Sequence, residues 1–125
     1  MTTPLQNIMR NVMATVKRDR GVLVSYTQNV TIRANITAIP GESKWPAENA
    51  SGLVVEIESR DWLIEVVDMG RLVPASGDVV VRNDGVTIRT FNVVPPTPTM
   101  RPYSEERNGT WYRVHTKLIS EVAFN

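Results

Sequence analysis

The stretch VVVRNDGVTIRTFNVV, residues 79–94, decides how this chain is read. Asp84-Gly85 stands between two alternating apolar runs rich in β-branched residues. That arrangement predicts a β-hairpin with a type I′ turn, because such a turn needs positive φ at both central positions. A period of two here makes the neighbouring segments candidates for strands of the same sheet.

Upstream, VPASGD (73–78) reads as a turn, and GLVVEIESRDWLIEVVDM (52–69) reads as two strands separated by a break near Ser59-Arg60. In the first strand Leu53, Val55 and Ile57 face one way and Glu56 and Glu58 the other. In the second, Trp62, Ile64 and Val66 alternate with Asp61, Leu63 and Glu65. PGESKWPAENAS (40–51) is polar, holds two prolines and shows no period, so it is expected to be a long loop. Before it, GVLVSYTQNVTIRANITAI (21–39) alternates on both sides of a turn expected around Gln28-Asn29. At the start, Thr3-Pro4 is a helix-start pair. Leu5, Ile8, Met9, Val12, Met13 and Val16 then follow helical spacing, which predicts an amphipathic helix over 3–18 that packs on its own domain or, as the alternative, on an oligomer or partner.

Downstream, PPTPTMRPYSEERNG (95–109) carries four prolines and is expected to be a second long, extended loop. NGTWYRVHTKLI (108–119) reads as the last strand. The sum is a mostly β chain: a small antiparallel β-barrel or sandwich of about six or seven strands with one N-terminal helix. We expect one domain over 1–125, with helix 3–18 and a barrel over 21–124 that carries loops 40–51 and 95–109. A chain of 125 residues buries roughly two-thirds of its unfolded surface, which suits one core.

Fourteen Lys+Arg against thirteen Asp+Glu leave a formal charge of +1, so no strong basic footprint marks the whole molecule. There are no cysteines, which fits synthesis in a reducing compartment and excludes disulfides and thiolate chemistry. No basic segment followed by an apolar run opens the chain, and no window is apolar enough to span a bilayer. A cytosolic product without a membrane partner is expected.

The one histidine, His115, is the obvious catalytic candidate. Alternation puts Tyr112, Val114, Thr116 and Leu118 on the core side. It puts Trp111, Arg113, His115, Lys117 and Ile119 on the other, where His115 is expected to face solvent or an interface beside two cations. A general base wants an orienting carboxylate, and the local sequence supplies none. ESRDW (58–62) reads as a surface ion-pair cluster of Glu58, Arg60 and Asp61. Asp68 and Asp78 read as separate acids at loop edges. No phosphate-binding glycine motif and no calcium or zinc spacing occurs, so neither catalysis, a metal ion nor a cofactor is expected. Arg82, Arg89, Arg113 and Lys117 are candidates for a DNA-facing side of the sheet, with Tyr103, Trp111 and Tyr112 as stacking surfaces. Apolar residues in polar or terminal segments, Trp45, Met100 and Phe124, point instead to protein contacts.

The order of motifs, ESRDWLIEVVDM, then LVPASGDVVVRNDGVTIRTFNVVPP, then MRPYSEERNGTWYRVHTKLI, resembles that of small tailed-phage and prophage head–tail joining proteins. Its most specific pieces are Arg60-Asp61-Trp62-Leu63-Ile64, Pro74 to Asp78 and Arg113 to Lys117. The resemblance covers about residues 20–119. It implies a virion structural protein of the neck, of head-closure or stopper type, made in the host cytoplasm and assembled as a homo-oligomeric ring of about six or twelve copies. The ring would sit below a portal or adaptor protein and above the tail or tail-terminator protein, with genome DNA in its channel. Loops 40–51 and 95–109 would then make ring and axial contacts, with Lys44, Trp45, Met100, Arg101 and Tyr103 as interface candidates. Another neck or tail-completion ring protein is an alternative, as is a small β-barrel nucleic-acid-binding module.

Overall fold

The computed structural model describes residues 12–13, 15–48 and 50–123. The expected helix start at Thr3-Pro4 and the candidate contact residue Phe124 lie outside them. Residues 79–94 form the expected hairpin, β4 (Val79–Asn83) and β5 (Thr87–Val93), with Asn83 opposite Ile88. Its turn is not type I′. Within it only Gly85 has positive φ, at 87°. The Asp84 carboxylate accepts from the backbone N–H of Val86 at 2.9 Å and of Thr87 at 2.7 Å, which stabilises a wider turn built on an Asp cap.

The remaining strands are β1 (Val22–Gln28), β2 (Thr31–Glu48), β3 (Val54–Glu65), β6 (Tyr103–Glu106) and β7 (Trp111–Ala123), with a 3₁₀ turn at Val66–Met69. All pairings are antiparallel, in the order β3-β2-β1-β4-β5-β7-β6, and β3 also pairs with β7. The ladder therefore closes through β1-β2-β3-β7-β5-β4 and back to β1, a barrel of six strands with β6 added beside β7. Asn35, at φ 56°, takes up the extra residue where the β1–β2 register shifts.

Val24, Tyr26, Ile36, Ala38, Trp62, Ile64, Val80, Phe91, Val93, Tyr112 and Val114 fill the interior, with Met69 from the 3₁₀ turn. Tyr26 donates to Asp78 at 2.5 Å, and Asp78 also accepts from Gln28 and the Ala75 backbone N–H. Asp78 is thus a buried anchor that ties the 73–78 turn to β1, not a free acid at a loop edge. Burial and the Asp78 carboxylate together push the Tyr26 hydroxyl far above its usual range.

Three expectations are corrected. Residues 40–48 are not loop but the second half of β2, with Pro40 opposite Trp62 and Pro46 opposite Glu56. Pairing with β1 stops at Ala38, so β2 is an edge strand beyond that point and tolerates prolines whose missing N–H would face outward. No break falls at Ser59-Arg60, because β3 runs unbroken through it. The 95–109 segment is not one loop either. It contains β6, joined to β7 by a turn in which Arg107, Asn108 and Gly109 all have positive φ. Leu53, just before β3, and Val55 within it are both exposed.

Residues 12–13 and 15–20 are helical and lie on the outside of the barrel, so the helix continues past Arg18. Met13 packs with Ile39 and Trp111, flanked by Val16 and Leu63. Lys17 pairs with Glu65 at 2.9 Å and Asp68 at 3.0 Å. The chain leaves the helix at Gly21, where a Cβ would lie 2.2 Å from the Lys17 carbonyl oxygen and 2.4 Å from Thr37 Cγ2. Gly21→Ala is therefore expected to wedge the helix off β2 and cost about 2 kcal/mol, an overpacking penalty. Urea unfolding would read this as a lower midpoint at unchanged slope.

Candidate functional site

Three places in the fold gather the chemistry-bearing side chains. The first lies on the outer face of β2, β3 and β7, where Gly41, Asp61 and His115 stand opposite one another in register. Alternation places Ser43, Ser59 and Arg113 on the same face. His115 is 4% exposed and Asp61 1%, so both are buried. The solvent-facing assignment of His115 and the surface ion-pair reading of Asp61 are thereby corrected. Their cause is that the outer face of β7 is covered. Trp111 lies under the helix, and the ring of Trp45 meets His115 edge-on at 5.0 Å.

Asp61 is the hub of this site. It accepts from Ser43, from Ser59, from Arg113 Nη1 at 3.0 Å, and contacts His115 Nδ1 at 2.9 Å. Burial alone would raise its carboxyl, but the bonds from His115, Ser43, Ser59 and Arg113 outweigh that and hold it down to about 2. Arg113 also bonds Glu106 on β6, so burial, which would lower its guanidinium, is outweighed by two carboxylates that raise it. The residue types are those of a Ser-His-Asp site, yet both serine hydroxyls donate to Asp61 and not to His115. Neither serine is then activated by the imidazole, and the group acts as a clamp between strands.

The second place is the outer half of the β2–β3 hairpin. Between residues 43 and 59 these strands pair only with each other and project as a two-stranded arm. Lys44 on the arm is exposed and lies near Glu56 and Glu58, at 3.6 and 3.5 Å. Trp45, on the opposite face, is the ring that covers His115. Leu53 and Val54 at the tip are 64% and 75% exposed.

The third place is one mouth of the barrel. Arg82 and Arg89 stand directly opposite each other on β4 and β5. Arg89 pairs with Asp84 and with Glu121, both at 3.3 Å. Arg113 does not join them, because its guanidinium is held by Asp61 and Glu106, and Lys117 is exposed beside Asn92. The four cations expected to line one DNA-facing side are thus dispersed. Of the other interface candidates, Met100 is half-buried before β6, and Arg101 stacks 4.7 Å over the Tyr103 ring. Tyr103 in turn meets Tyr112 edge-on at 5.3 Å.

Sequence reasoning missed Ser43, Ser59 and the burial of Asp61 and Asp78. The available signal was the small residues Gly41 and Ser43, two apart, which in a strand face leave room for a neighbour's side chain. Among the described residues no three His, Cys, Asp or Glu side chains are grouped to hold a metal ion, and no helix is long and apolar enough to cross a membrane.

Acid stability follows from the hub. Asp61 titrates near 2 in the fold against a reference of 3.8, so its ionised form contributes stability above pH about 4 that is lost as the pH falls through about 2. Roughly 2 kcal/mol is at stake. Asp61→Asn is expected to lose about 3 kcal/mol at neutral pH by leaving Arg113 without its buried partner. It should also flatten the fall in stability below pH 4, as read by urea unfolding at a series of pH values.

A family model described as phage head-tail joining protein matches residues 4–123, nearly the whole chain. No curated protein matches. The chain belongs to the phage head-tail joining family.

Proposed function

We propose that this phage head-tail joining protein acts in the neck as a ring-forming head-closure, or stopper, component that retains or passes the genome. Family membership makes it a structural protein of the virion at the junction of head and tail, in contact with other head and tail proteins. The finer reading rests on one observation, a barrel clamped by a buried ion cluster from which a self-paired arm projects with an apolar tip. A rigid body with a reaching arm suits a subunit that must meet different neighbours on different sides. Head-to-tail rings need two unlike patches, and the arm and the Met100–Tyr103 segment supply two. The portal or adaptor would lie on one side and the tail or its terminator on the other, with about six or twelve copies around the channel.

The role is mechanical, with no cofactor, and the chain is made in the host cytoplasm before it joins the particle. The nucleic-acid-module reading is weakened because Arg113 and Arg89 are already committed to carboxylates, which leaves less free charge for phosphates.

The test is assembly in vitro. DNA-filled heads made without this protein should leak DNA and fail to accept tails. Purified chain should restore both and be seen as a ring below the portal. Replacing residues 44–58 by a short turn should keep the barrel, verified by circular dichroism, and should impair DNA retention or ring closure. Heads that retain DNA and join tails equally well without the protein would overturn the proposal.

A further inference from the structure

The barrel closes at the β3–β7 pairing, but the two strands diverge beyond it. β7 pairs with β3 only up to Thr116 and then with β5, while β3 before Arg60 has left β7. Between the diverging strands lies a recess of about 400 Å³. Its walls are apolar at Pro40, Phe91 and Leu118, and its charged side chains are Arg60, Arg82 and Arg89 against Glu42, Asp61 and Glu121, of which Asp61 is held by its own donors and Glu121 by Arg89. Arg89 is paired, but among the described residues Arg60 and Arg82 make no ion pair within 4 Å. Trp62 also lines the recess, and its indole N–H is the buried side-chain polar atom, among the described residues, that lacks a hydrogen-bond partner.

A buried donor without an acceptor is costly, and two guanidinium groups in the same lining that make no ion pair within 4 Å favour one negative charge. We propose that this recess is a docking site for a protein segment that inserts an Asp or Glu side chain, its carboxylate bound by Arg60 and Arg82, with the Trp62 indole as a further donor. The apolar wall asks for carbon next to the charge, which a peptide offers and a free anion does not. Glu42, Asp61 and Glu121 on the same recess limit it to a single added negative charge, so the row of phosphates of duplex DNA fits poorly. The size suits one side chain with its flanking backbone. Arg60 and Arg82, separated by 22 positions in the sequence and on strands that do not pair, line one recess only because the barrel closes, so the site exists only in the fold. The proposal does not depend on ring assembly.

The test uses the full chain, ¹⁵N-labelled, with the indole signals of Trp45, Trp62 and Trp111 assigned by Trp→Phe variants. The probes are a blocked pentapeptide, acetyl-Gly-Val-Glu-Val-Gly-amide, its Gln analogue, and a short DNA duplex. The Glu peptide should shift the Trp62 indole saturably, with a dissociation constant on the order of 1 mM, while Trp45 and Trp111 stay still. The Gln analogue should bind about tenfold more weakly, as should the Glu peptide to a folded Arg60→Gln/Arg82→Gln variant. A stationary Trp62 signal, equal binding of the two peptides, unchanged binding to the double variant, or a Trp62 shift with DNA would each overturn the proposal.

Discussion

The buried carboxylate of Asp61 is the constraint on which the rest of this structure depends. An ion removed from water must be surrounded by donors, and here they come from three strands: Ser43 from β2, Ser59 from β3, and Arg113 and His115 from β7. A slip of one residue in any of these strands would turn its donor to the other face and strand the charge. The cluster therefore sets the register at the joint where the barrel closes. Tyr26 and Asp78 do the same for the turn before β4. The helix is laid over one end of the Asp61 face and Trp45 over the other, which turns an outer face into a second packed layer.

Much of the barrel was legible because one face of each strand is apolar. The β4–β5 hairpin, the inner residues of β7 and the Trp62–Ile64 pair follow simple alternation. The reading failed where both faces are covered. His115 looked exposed because its parity is opposite to Val114, and parity says nothing about a second layer. The outer half of β2 was illegible because Gly41, Ser43 and two prolines hide its period, and its pairing with β3 is what makes it a strand. Asp61 meets His115 across 54 positions, so no local window contains both the carboxylate and the group it orients. The prolines of 95–109 hid β6 in the same way, since its partner is β7.

The same divergence of strands produces both the arm and the recess. Where β3 leaves β7, the β2–β3 pair continues outward as the arm, and the gap it leaves behind becomes the recess at the barrel mouth. A joining protein needs surfaces aimed in different directions from a body that does not deform. The two here share one origin, so their relative placement is governed by the Asp61 joint between them.

Prolines at 40 and 46 have a further consequence. A projecting two-stranded ribbon offers bare main-chain edges, the usual template for intermolecular sheet growth. On β2 that edge is interrupted twice by residues without an N–H, and the arm's outward side chains include Glu42, Lys44, Glu56 and Glu58. Edge-to-edge sheet pairing between two copies of the chain is thereby disfavoured. A partner on the arm would have to recognise its side chains, because the proline-interrupted edge of β2 is a poor template for an added strand.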